Sequence, residues 1–93
     1  MRTIEYTKKF KRDYKRESKG TYKNTLAIDI QLLIRLLQKN VVLPTHYCDH
    51  ALKGEWQDHR DCHIKPDLIL IYRKPDENTL QLVRLGSHSQ LSL

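Results

Sequence analysis

The run Leu68-Ile69-Leu70-Ile71-Tyr72 constrains this chain more than any other stretch, because its aliphatic and β-branched residues specify a rigid central strand. Leading into it is Arg60-Asp61-Cys62-His63-Ile64-Lys65-Pro66-Asp67, which sets two carboxylates and an imidazole directly beside the scaffold. In an extended segment alternate side chains point to opposite faces. Cys62 and Ile64 therefore share one face and are expected in the core, while Asp61 and His63 share the other. That acid and imidazole, expected side by side on the open face of a sheet, have the makings of a general acid/base pair held by rigid backbone.

Around that strand the chain reads as one α+β domain spanning residues 1–93, since 93 residues allow a single modest core. Arg2 to Tyr6 gives a short first strand. Thr7 is the expected N-cap of a helix in which Phe10 and Tyr14 lie four apart on one face, and Gly20 is its expected end. A second helix is expected from about Tyr22–Asn24 to Asn40. Leu26, Ile30, Leu33 and Leu37 form its stripe, widened by Ile28, Leu32, Ile34 and Leu36, so that cover is expected on two sides. Thr45 to Gly54 reads as irregular. Trp56–Ile64, Leu68–Arg73 and Leu80–Leu85 read as three strands in a meander, with Pro75-Asp76-Glu77-Asn78 as the last turn. The order β-α-α-β-β-β predicts two helices packed on one face of a mostly antiparallel sheet.

Charge is distributed unevenly. Residues 1–24 carry nine Lys or Arg against three Asp or Glu, while the remainder is balanced at eight of each, so the net charge of +6 originates in the first quarter. Lys8, Lys9, Lys11, Arg12, Lys15 and Arg16 make the first helix cationic around most of its girth, as expected of a surface for a polyanion or an acidic protein segment. The apolar region Leu26–Leu43 is interrupted by Asp29, Arg35 and Lys39 and is no membrane span. Cys48 and Cys62 are too few for a disulfide framework, and a reducing, cytoplasmic compartment is expected.

Two chemistries suit the remaining residues. A metal site through Cys48, His50, Cys62 and His63 lacks paired ligand arms, and adjacent Cys62 and His63 point to opposite faces, so neither metal nor cofactor is expected. Cleavage of RNA through its own 2′-hydroxyl needs a base, a cation for the phosphorane and an acid for the departing 5′-oxygen. His50, His63, His88, Asp61, Asp67 and Arg84 supply those types, and the expectation is that they gather in one hollow sized for a phosphodiester.

Three segments carry a more specific signal: Asp49-His50-Ala51-Leu52-Lys53-Gly54-Glu55-Trp56, the Arg60–Tyr72 run, and Leu82-Val83-Arg84-Leu85-Gly86-Ser87-His88-Ser89. Together they resemble the YafQ-like branch of the RelE superfamily, toxins of type II toxin-antitoxin pairs that act as ribosome-dependent mRNA endonucleases. The resemblance implies His88 as general acid, Asp61 or His63 as base, Arg84 against the phosphorane, and His50 and Asp67 as orienting or proton-sharing neighbours. Lys53, Arg60 and Lys65 are the expected substrate-binding cations. The resemblance also implies an antitoxin partner, with the ribosome and mRNA as targets, and gives the basic helix either ribosomal RNA or the antitoxin to bind. This chain departs from the family in two places. Ser92 stands where relatives commonly end in an aromatic residue, a ring able to stack on a base for about 1 to 3 kcal/mol, and Leu68 stands where many carry Trp. A noncatalytic RNA- or protein-binding module on the same fold is the competing reading.

Overall fold

The computed structural model describes residues 1–93. Its elements are β1 (Thr3–Tyr6), α1 (Lys8–Glu17), α2 (Leu26–Gln38), β2 (His50–Ala51), β3 (Arg60–Lys65), β4 (Leu68–Asp76) and β5 (Thr79–Gly86), with 3-10 turns at Thr45–Tyr47 and Gly54–Trp56. They build one five-stranded sheet in the order β1-β5-β4-β3-β2, antiparallel except where β1 runs parallel to β5 at one edge. The expected α+β architecture, with two helices on one face, is what forms.

Leu68 to Tyr72 is the centre of it, all five residues buried. Leu68, Leu70 and Tyr72 face the helices and pack with Cys62, Leu80, Leu82, Leu85, Phe10, Leu26, Ile30, Leu33 and Leu37. On the other face Ile69 and Ile71 are covered by Leu91 from the C-terminal turn, flanked by Leu52, Trp56 and Val83. A strand apolar on both faces thus divides a large core from a small one.

The helix ends follow local chemistry. Thr7 caps α1 by accepting from the Phe10 N–H at 3.0 Å, and its own hydroxyl donates to the Val83 carbonyl at 2.7 Å, tying the helix start to β5. Asn40 stops α2 in the left-handed region at φ 57°. Three expectations need correction. Helix α1 ends at Glu17, short of Gly20, and α2 starts at Leu26, because Ser18–Thr25 closes into short turns in which the Lys23 N–H donates to the Gly20 carbonyl and the Thr25 N–H to the Tyr22 carbonyl. Ile28 and Leu32 are uncovered, 64% and 53% exposed, because the sheet takes the Leu26–Ile30–Leu33–Leu37 stripe and α1 flanks only the Ile30–Ile34 side. Trp56 belongs to a turn, and β3 opens only at Arg60.

The hairpin between β4 and β5 turns on Glu77 and Asn78 alone, pinned by the Asn78 N–H donating to the Asp76 carboxylate at 2.8 Å. Pro75 lies inside β4, beyond Tyr72 where β3 has stopped pairing, so its missing N–H interrupts no bond to β3. No helix is long and apolar enough to cross a membrane.

Candidate active site

Register across the sheet assembles the site. His50 pairs with Asp61, Asp61 with Ile71, and Ile71 with Arg84, so one row on the face away from the helices runs across β2, β3, β4 and β5. In the adjacent row His63 pairs with Ile69, and Ile69 with Gly86 at the end of β5. As the alternation predicts, Cys62 is fully buried beneath the helices while Asp61 and His63 face the other way. The two-residue β2 lies in a stretch expected to be irregular; it forms because Asp49 is clamped from the neighbouring strands. The Tyr72 hydroxyl donates to the Asp49 carboxylate at 2.6 Å, and Arg60 donates through Nη2 at 3.1 Å.

His50 is fixed through Nδ1, which lies 2.8 Å from the Cys48 carbonyl and 3.0 Å from Asp61 Oδ1. A carbonyl only accepts, so Nδ1 carries the proton and Nε2 is the acceptor of the neutral ring. Cys48 holds its carbonyl there in the left-handed region, at φ 51°. Asp61 corrects the expectation of an open face: with the His50 ring against it, its side chain is 4% exposed. Burial pushes its carboxyl above the usual range, and the neighbouring His50, His63 and His88 offset only part of that.

The second half of the site stands on the loops that follow β3 and β5. Asp67 Oδ1 accepts from both the His88 backbone N–H at 2.9 Å and His88 Nδ1 at 2.7 Å. These two donors hold the Asp67 carboxyl below the usual range. With Nδ1 donating to Asp67, His88 presents Nε2 outward, and its ring meets His63 edge-on with centroids 5.3 Å apart. His50, Asp61, His63, Asp67 and His88 thus come together.

The expected hollow does not form. No cavity is lined by His50, Asp61 or His88, and His63 alone borders one, of about 470 Å³, with His46, Cys48, Ile64, Lys65 and Pro66. His50 and His88 stand on an open shelf, 56% and 46% exposed, while Asp61 is buried.

Four cations lie differently from expectation. An irregularity between His63 and Lys65 shifts the register, so Lys65 pairs with Leu68 and faces the helices, where its Nζ lies 3.0 Å from Asp29 of α2. Arg60 pairs with Tyr72, also on the helix side, and is spent on Asp49. Arg16 is held by Asp13 and Glu17 at 2.9 and 2.8 Å. Arg84 has the right register, placed by a second irregularity opposite Ile71/Tyr72, but its guanidinium donates to the Asp13 carboxylate through Nε at 2.7 Å and Nη2 at 3.2 Å. Lys53, Lys8, Lys9, Lys11, Arg12 and Lys15 are exposed. Leu68 is buried in the main core and has no face for a base, while Ser92 is exposed with φ 58°.

Asp13, Asp49 and Gln90 are the polar residues that sequence reasoning missed. Asp13 had a signal: it shares the helical phase of Phe10 and Tyr14, the buried side of an otherwise cationic helix.

Comparison with known proteins identifies this small α+β domain, whose three imidazoles and two carboxylates gather on the side of the sheet away from its helices. The family model for the bacterial toxin of type II toxin-antitoxin systems, YafQ, matches residues 2–93, and the chain belongs to that family. It is 37% identical to the mRNA interferase toxin YafQ of Escherichia coli strain K12 over 91 residues, covering 98% of this chain and 96% of the relative. The crystal structure of YafQ from E. coli strain BL21(DE3) superimposes with a TM-score of 0.84 at 36% identity, covering 98% of each chain. YafQ in the crystal structure of the E. coli DinJ–YafQ complex gives a TM-score of 0.79 at 35% identity, again over 98% of each chain.

Proposed function

We propose that this chain is an mRNA interferase, an endoribonuclease that cuts translated mRNA on the ribosome and is silenced by a cognate antitoxin. The observation that supports the reading is the convergence of His50, Asp61, His63, Asp67 and His88 on one side of the sheet, each ring oriented by a fixed partner or neighbour. In the reaction, a base takes the 2′-hydroxyl proton, the 2′-oxygen forms a bond to phosphorus, and the P–O5′ bond breaks as an acid protonates the 5′-oxygen. Asp61 is too buried to touch a ribose, so His63 is assigned as base, with Asp61 and His50 setting the charge beside it. His88 is the acid: Asp67 holds Nδ1, leaving Nε2 to deliver the proton. Arg84 stabilises the phosphorane through Nη1, which makes no hydrogen bond within the protein. The products are a 2′,3′-cyclic phosphate and a 5′-hydroxyl.

An open shelf does not by itself hold RNA in line for attack. The ribosome is assigned that task, and free RNA is expected to be a poor substrate. Lys8, Lys9, Lys11, Arg12 and Lys15 serve binding to ribosomal phosphates or to an acidic antitoxin segment. The DinJ–YafQ complex supports an antitoxin partner. The reading puts the protein in the compartment that holds ribosomes, the cytoplasm.

Expressing wild type and His88→Ala side by side tests it. Growth arrest with mRNA cleavage is expected from the wild type alone; equal arrest from both favours a noncatalytic binding module.

A further inference from the structure

We propose that Asp13, on α1 and outside the histidine cluster, is a positioning residue for the cleavage reaction, holding Arg84 and the start of the turn that carries His88. The proposal rests on the nuclease reading above and deepens it. Asp13 is 2% exposed, in a helix whose surface is mostly cationic. Its Oδ2 accepts from Arg84 Nε at 2.7 Å and from the Leu85 backbone N–H at 3.0 Å. Its Oδ1 accepts from Arg84 Nη2 at 3.2 Å and from Arg16 Nη1 at 2.9 Å. Four donors on one carboxylate fix the plane and direction of the Arg84 guanidinium, and Nη1 is the donor group left over for a phosphate.

The same carboxylate reaches further along the chain. Arg16 Nη2 donates to the Leu85 carbonyl at 2.9 Å and, at the longer distance of 3.5 Å, to Gln90 Oε1. Gln90 Oε1 accepts from the Ser87 N–H at 2.8 Å, and the Gln90 N–H returns to the Ser87 hydroxyl at 3.1 Å. Ser87 is the residue before His88. Gly86 leaves room for this traffic: a Cβ there would lie 2.9 Å from Gln90 Oε1 and 3.0 Å from Arg16 Nη2, so the ends of both side chains would have to shift. A continuous polar chain therefore runs from α1 to the backbone beside the proposed acid.

A buried ion pair contributes little net stability relative to a well-packed apolar pair. What this one supplies is geometry, because a guanidinium released from Asp13 regains the freedom of a long side chain, and misplacing a catalytic group by an ångström costs about 100-fold in rate.

The test is single-turnover cleavage of ribosome-bound mRNA by wild type, Asp13→Asn, Arg84→Gln and the double variant. Asp13→Asn keeps an acceptor for the Leu85 N–H but not the charge. It is expected to lower the saturating rate by about 100-fold with an unchanged half-saturating toxin concentration, which a general loss of folded protein does not mimic. The double variant is expected to be no slower than Arg84→Gln alone, as for residues acting through one another. A wild-type rate in Asp13→Asn beside a slow Arg84→Gln, or losses that multiply in the double variant, overturns the proposal and leaves the nuclease reading intact. A wild-type rate in Arg84→Gln refutes the assignment of Arg84, and the positioning role falls with it. If Asp13→Asn does not fold, the double variant, which leaves no buried charge unpaired, decides by comparison with Arg84→Gln: equal rates support the proposal and a further loss overturns it.

Discussion

Replacing His88 by alanine removes the proposed acid, and the structure sets the size of the effect. Positioned acids contribute about 10²- to 10⁴-fold to a rate. The His88 side chain is 46% exposed, so water reaches the departing 5′-oxygen in its absence, and the His63 ring is 5.3 Å away between centroids. Both place the loss at the lower end, about 100-fold, or about 2.7 kcal/mol in the barrier. The diagnostic substrate is an mRNA with sulfur in place of the bridging 5′-oxygen at the codon the wild type cuts. A thiolate departs without protonation, so His88→Ala is expected to cut it within a few-fold of the wild-type rate, while His63→Ala, lacking the base, stays slow on both substrates. An equal defect of His88→Ala on the oxygen and sulfur substrates refutes the assignment of His88 as acid.

Other consequences follow from the same geometry. Burial raises the Asp61 carboxyl, so its proton is held more tightly in the folded state than in the unfolded; the native state is favoured below the ordinary carboxylate range and loses stability as pH rises through the raised value. Asp61→Asn is therefore expected to melt higher than wild type at pH 7 while cleaving poorly, with the stability gap closing in acid; a lower melting temperature at pH 7 contradicts this. Tyr72→Phe removes the 2.6 Å bond that clamps Asp49 at the start of β2 and is expected to cost about 1.5 to 3 kcal/mol in urea unfolding. It also loosens His50, the next residue along, so cleavage should fall with stability. Burial pushes the Cys62 thiol far up, whereas Cys48 is exposed, so iodoacetamide should label Cys48 alone in the native protein and both when unfolded.

The aliphatic run Leu68–Tyr72 was enough to read the central strand, and period-two alternation to put Cys62 on one face with Asp61 and His63 on the other, since both signals are local to one strand. Register was not legible. The irregularities between His63 and Lys65 and opposite Arg84 depend on how partner strands meet, and one residue of slip sends Lys65 to the helix side. Strand β2 is two residues long and is held by Asp49 contacts from Arg60 and Tyr72, 11 and 23 positions away, which no short window contains. Asp13 was visible as an acid on the apolar side of α1, yet the partners that tie it to β5 lie 71 and 72 residues on. Ile28 and Leu32 failed for the opposite reason: apolar spacing implies cover, and nothing in this chain covers them.

The chemistry of the cut ends tests the central claim most directly. With mRNA cleaved in a translating mixture and the new termini mapped, internal attack by the 2′-oxygen, driven by the His63 and His88 face, predicts a 2′,3′-cyclic or 3′-phosphate upstream and a 5′-hydroxyl downstream; a 5′-phosphate on the downstream fragment contradicts it.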